Sequence, residues 1–186
     1  MIHSGIEDPW FAGLTVDPLA LGPTAILMGA SGAVRLDVAD RVAARLGAEV
    51  IDAEALHPPE TLAKVLGGDA LYGDERRIWL DEIAVRLRRP RPAGCVVSCS
   101  PLRYMHRRVL RRSAPQALFF RLDDAPGERT GMPLIGSEQF YTTDGFRRQE
   151  QGVVVPCSTP ARAAATILRH LSVMREDAVV GQGGRA

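Results

Sequence analysis

The stretch whose residue types come nearest to known chemistry is Gly29-Ala30-Ser31-Gly32-Ala33-Val34-Arg35-Leu36, between the apolar run Ala25-Ile26-Leu27-Met28 and an amphipathic helix. Strand, glycine-rich turn and helix N-terminus in that order can cradle phosphate, because free backbone N–H groups and the helix dipole both favour an anion. The full pattern is G-x-x-x-x-G-K-S/T. Gly29 fills its first position, but Val34, Arg35 and Leu36 stand where the second glycine, the lysine and the hydroxyl belong. Valine loses conformations open to glycine. Arginine keeps the charge but presents a broad planar fork. Leucine offers no oxygen to Mg²⁺, which needs hard oxygen ligands. The sole lysine, Lys64, lies elsewhere, so no shifted register restores the pattern. Two readings stand: a phosphate-binding loop over 29–35, or a tight strand-to-helix turn.

The elements that must hold this turn follow from hydrophobic periodicity. Val34, Val38, Val42 and Leu46 recur every fourth residue and predict a helix stopped by Gly47. Val50-Ile51 is a second strand ending at Asp52, and 60–67 and 75–89 are helical in pattern, with Pro90 and Pro92 closing the latter. Cys95-Val96-Val97-Ser98 is a third strand. Pro101 is expected to open a basic helix after Ser100, running to about Arg112. Leu118 to Leu122 and Val153 to Val155 are further strands, separated by a polar segment over 123–152 that reads as a lid. A last helix starts at Thr159-Pro160. Alternating strands and helices predict a three-layer α/β/α domain with a central parallel sheet, spanning 24–175. Residues 1–23 form an N-terminal extension and 176–186 a tail. Ligands in such folds bind beyond the carboxyl ends of the strands.

Composition narrows the function classes. The 186 residues are 46% hydrophobic and 24% charged, ordinary for a globular chain, and their formal net charge is +1. Neither nucleic acid nor a membrane is expected as a partner, since the arginine clusters at 86–91 and 103–112 have one aromatic, Tyr104, near them. Three cysteines without a C-x-x-C pair fit a reducing cytoplasm better than a disulfide framework. No apolar run approaches the ~20 residues that span a bilayer.

Three further blocks carry a resemblance. Asp52-Ala53-Glu54-Ala55-Leu56-His57-Pro58, then Leu71-Tyr72-Gly73-Asp74-Glu75-Arg76-Arg77-Ile78-Trp79-Leu80, then Cys99-Ser100-Pro101-Leu102-Arg103 with Arg107, resemble the bacterial gluconokinase family in order and spacing. The resemblance implies a P-loop small-molecule kinase fold like that of shikimate and nucleoside monophosphate kinases. It implies ATP with Mg²⁺ as cofactor, a sugar acid as substrate, transfer to the 6-hydroxyl of D-gluconate, and a possible homodimer. By position, Asp52 would hold Mg²⁺ and Glu54, where the family has aspartate, would orient or deprotonate the attacking hydroxyl. Arg35 would stand in for the catalytic lysine. Asp74, Arg76, His57 and Arg103 would contact substrate, with Arg76 meeting its carboxylate.

Plainer readings remain beside these: loop solvation for the two carboxylates, a turn cap for His57, a pairing of Asp74 with Arg76, and core packing for Trp79 and Cys99. The lid departs from the family as well. Gly131-Met132-Pro133 and Ser137-Glu138-Gln139-Phe140 echo its lid motifs, and Arg129 is the one basic residue between Leu122 and Gly131 to bind phosphate. Two functions therefore compete: an ATP-dependent gluconate kinase of weak or lost activity, and a non-catalytic relative that binds a sugar acid or nucleotide or acts through a protein partner.

Overall fold

A computed structural model describes residues 22–66, 71, 73–99, 102–124 and 144–180. Five parallel strands lie in the order β2-β3-β1-β4-β5, with β1 Thr24–Gly29, β2 Glu49–Asp52, β3 Cys95–Ser98, β4 Leu118–Asp124 and β5 Gly152–Cys157. The helices are α1 Gly32–Leu46, α2 Pro59–Leu66, α3 Gly73–Leu87, α4 Tyr104–Ser113 and α5 Pro160–Val180. Central β1 pairs with β3 on one side and β4 on the other.

The period-two alternation of β1 builds two cores. Ile26 and Met28 join Trp79, Leu80 and Ile83 of α3 and Leu110 of α4, whereas Ala25 and Leu27 join Val38 and Val42 of α1 and Ile167 and Leu171 of α5. Both faces of the sheet are thus covered, which is the three-layer α/β/α arrangement expected. Full burial of a Leu, Ile or Phe side chain contributes about 1.5–3 kcal/mol, and Ile26, Leu27, Phe119 and Phe120 are wholly inside.

Several boundaries differ from the sequence expectation. Helix α4 begins at Tyr104 with Arg103 as its N-cap, not at Pro101. Leu102 is buried just ahead of it, and its carbonyl accepts from the Arg107 guanidinium at 2.8 Å. Strand β4 runs to Asp124, past the expected lid boundary at 123, and α5 runs to Val180, past the expected domain end at 175. The last part of the expected lid is tied down: Arg107 donates to the carbonyls of Asp144 and Gly145 and, bidentately, to Glu150 at 2.8 and 2.7 Å. The N-terminal extension up to residue 21 and most of the lid, over 125–143, lie outside the described residues. No helix among the described residues is long and apolar enough to cross a membrane.

Candidate functional site

At the carboxyl end of β1 the chain turns sharply. Gly29 has φ +82°, and a Cβ there would stand 2.4 Å from the carbonyl oxygen of Leu122 on β4. The close approach of β4 therefore requires glycine at this position. Ala30 follows with φ 47°, a left-handed conformation uncommon outside glycine. Ser31 then caps α1, its hydroxyl accepting from the Val34 N–H at 3.4 Å while its carbonyl accepts from the Arg35 N–H at 2.9 Å. The Val34 amide is thus taken up by the Ser31 side chain, while the Arg35 amide makes the first ordinary bond of the helix.

Arg35 completes the closure. Its Nη1 donates to the carbonyls of Gly29 and Ala30 at 3.1 and 2.9 Å, and its Nη2 donates to Oε1 of Glu54 at 3.3 Å. The side chain is only 5% exposed, and its Nε is buried with no partner. The fork that distinguishes arginine from lysine is what lets one side chain bridge two loop carbonyls and a carboxylate. Val34 packs against the core between α1 and α5. The two substitutions act together, with valine anchoring the helix start and arginine filling the turn.

The facing wall is built from β2. Oδ1 of Asp52 accepts from the Glu54 N–H at 3.1 Å, which starts a 3-10 turn over Glu54–Leu56. The Ala53 N–H donates to the Ser98 carbonyl at 2.9 Å, and the Ala53 carbonyl accepts from Trp79 Nε1 at 2.7 Å. His57 stacks on Trp79 with centroids 4.7 Å apart, and its Nε2 lies 3.5 Å from Oε2 of Glu54. Glu54 is therefore shared, one oxygen toward Arg35 and the other toward His57. The His57 Nδ1 is buried and unpartnered.

Cys99 directly follows β3 and feels the charges of this group. It is fully buried, and burial first, then Glu54 and Asp52, push its thiol well above the ordinary range, with Arg35 and Arg76 opposing. The charges of four residues expected from the sequence thus act on one buried thiol. Arg76 donates from Nε and Nη2 to the Leu71 carbonyl at 3.2 and 3.1 Å, which orients its guanidinium at the start of α3. Asp74 does not join the group and does not pair with Arg76; its side chain is 86% exposed and bonds Arg77 at 3.3 Å. Trp79 is core, as the plainer reading had it. Arg103 is exposed just ahead of α4, and Arg129 lies outside the described residues. Arg107, which aligned with a family arginine, is wholly buried and spent on Glu150. His106 escaped the sequence reading: nothing but its place three residues after a helix cap distinguishes it.

The donor set does not fit a Mg²⁺ held by the loop. Leu36 supplies no oxygen, Oδ1 of Asp52 is engaged by a backbone N–H, and among the described residues no group of three His, Cys, Asp or Glu side chains converges.

No family profile matches the chain. A thermosensitive gluconokinase of Escherichia coli (strain K12) is 34% identical over 105 residues, covering 55% of this chain and 56% of that protein. The chain thus spans about half the length of the curated relatives it matches. The crystal structure of a gluconokinase from Sinorhizobium meliloti 1021 superposes with a TM-score of 0.74 at 29% identity, over 87% of this chain and 98% of that one. A Mycobacterium tuberculosis APS kinase in complex with AMPPNP and APS shares the fold at 16% identity and a TM-score of 0.57, covering 82% of this chain and 98% of that one.

Proposed function

Starting from the gluconokinase-family P-loop kinase that these likenesses support, we propose that this chain binds a polyhydroxy carboxylate such as D-gluconate and has lost phosphoryl transfer from ATP. The observation that carries the reading is the Arg35 guanidinium, hydrogen-bonded to Gly29, Ala30 and Glu54 inside the turn where ATP phosphates would lie. Phosphoryl transfer depends almost wholly on positioning and charge stabilisation. Here the cation is turned inward, the Val34 amide is occupied by the Ser31 cap, and Leu36 offers no hydroxyl. The sugar-acid side keeps its parts. Glu54, whose side chain is 26% exposed, offers a carboxylate to hydroxyls with His57 stacked on Trp79 beside it, and Arg76 and Arg103 offer guanidinium groups to a carboxylate. Asp52 acts by fixing the Glu54 backbone.

A second reading, a slow gluconate kinase, is favoured by the survival of Asp52 and Glu54 at the strand end. In it Arg35 leaves the turn when nucleotide arrives and serves as the missing lysine. The two separate in a gluconate-dependent assay of ADP release in Mg-ATP, comparing wild type with Val34→Gly/Arg35→Lys/Leu36→Thr. The proposal expects wild type at the no-gluconate background and turnover from the triple variant. Wild-type turnover well above background would refute it.

A further inference from the structure

Helix α3 turns Trp79, Leu80, Ile83 and Leu87 into the core, yet its Ile78 and Val85 are 49% and 40% exposed. Seven residues apart, these two share one stripe of the helix. Ile78 also lines a groove of about 250 Å³, together with Glu82 and Arg86 of α3 and residues 55–58 of the turn after β2. Glu82 pairs with Arg86 through Oε1 at 3.1 Å, which leaves its Oε2 to accept from a donor entering the groove.

The place where the described chain begins points to what covers this face. The Gly22 N–H donates to the Arg91 carbonyl at 3.3 Å, and the Arg91 guanidinium donates to the Arg86 carbonyl at 2.6 Å. A Cβ on Gly22 would collide with the Ala93 backbone, so glycine is required where the chain enters beside the Arg86 end of the groove. Residues 1–21 carry Trp10, Phe11, Leu14, Val16 and Leu19, and their only charged side chains at neutral pH are Glu7, Asp8 and Asp17. Ile78 lies about 12 Å along the helix from Arg86, whereas the stretch from Trp10 to Gly22 can span up to about 40 Å. Trp10 therefore reaches the far end of the groove with slack. Charge agrees with this placement: Arg88 and Arg89 are exposed just past the end of α3, and neither has a carboxylate partner among the described residues.

We propose that residues 1–21 fold back along α3 of the same chain and lay Trp10 into this groove, covering Ile78 and Val85. The indole supplies the largest apolar surface in the segment, and its N–H, which needs an acceptor when buried, meets Oε2 of Glu82. Asp17, nearer the entry point, lies by Arg88 and Arg89. The covered turn is the one that Glu54 opens, so the segment braces the piece of chain that carries a candidate site residue. The inference stands apart from the sugar-acid reading, and its test needs no ligand.

Trp10 and Trp79 are the two tryptophans of the chain, so the fluorescence difference between wild type and Trp10→Phe reports Trp10 alone. In the native wild type that difference should be blue of the urea-unfolded chain and quenched several-fold less by acrylamide. Ile78→Glu and, separately, Val85→Glu put a charge on an exposed helix position; each should leave the circular dichroism unchanged and make Trp10 as quenchable as in urea. Two such variants are made so that a failure of one to fold leaves the other to decide. A wild-type Trp10 as quenchable as in urea overturns the proposal, and so does protection retained in the folded charged variants. Mixing Ile78→Glu with Trp10→Phe, whose groove is intact, distinguishes the remaining occupant. No recovery of Trp10 protection is expected; recovery would mean that the segment docks on a second copy and would overturn the same-chain assignment.

Discussion

Replacing Arg35 by methionine tests whether this arginine is part of the fold rather than a ligand group waiting in solvent. Methionine keeps most of the aliphatic stem, so the packing changes little. The guanidinium loses three hydrogen bonds, to Gly29, Ala30 and Glu54, each worth about 1 kcal/mol net. Against that, the buried Nε no longer lacks a partner, a gain of about 1 kcal/mol. The balance is a loss of about 2 kcal/mol, or about 4–8 °C in melting temperature for a chain of this length. Because the Arg35 side chain is 5% exposed, raising the salt concentration should change the difference little. Thermal unfolding followed by circular dichroism at low and high salt reads both quantities. A melting point within about 1 °C of wild type would mean that Arg35 makes no such contacts, and the closed loop would be refuted.

Two further outcomes follow from the buried charges and thiols. Glu150→Gln breaks an ion pair whose partners are 0% and 7% exposed, and should cost about 3 kcal/mol in urea unfolding while speeding proteolysis around 144–151. Burial pushes the Glu150 carboxyl up, but hydrogen bonds from Arg107 and from the Arg147 N–H outweigh it and leave it below the ordinary 4.5. Its contribution is therefore present above about pH 4.5 and lost as the pH falls through the lower folded value, so the variant should show a flatter acid limb of stability. Burial likewise raises the Cys95 and Cys99 thiols, and all three cysteines are buried. An aromatic disulfide dye at pH 8 should label none in the native chain and all three in urea; rapid native labelling of Cys99 would contradict its placement.

What the sequence made legible was what lies within one or two turns of a residue. The run 25–28, the four-residue spacing from Val34 to Leu46 and the stop at Gly47 mark β1 and α1 directly, and Gly47 indeed closes α1 with φ 65°. The roles of the carboxylates at 52 and 54 and of the arginine at 76 come from the family resemblance, and the charges of all three act on the Cys99 thiol. What stayed hidden depends on partners far along the chain. Arg107 and Glu150 are separated by 43 residues, and no local period announces that an arginine in a basic helix will be wholly buried. Arg35 was legible as a lost lysine, but its inward turn depends on Glu54, 19 residues on. Asp74 misled because spacing alone does not say which side of α3 faces the site; Arg77, three residues on, holds it on the exposed one. The start of α4 was misread because proline after serine is a sound opening signal, whereas the observed cap uses Arg103 and His106.

The most direct test of a sugar-acid site behind a closed phosphate loop is calorimetric titration of the wild-type chain, in separate runs, with gluconate and with a non-hydrolysable ATP analogue in the presence of Mg²⁺. The closed loop predicts saturable heat with gluconate and none with the nucleotide. Saturable nucleotide binding that is lost in Arg35→Met would contradict it, since Arg35 would then be holding phosphate rather than the carbonyls of Gly29 and Ala30.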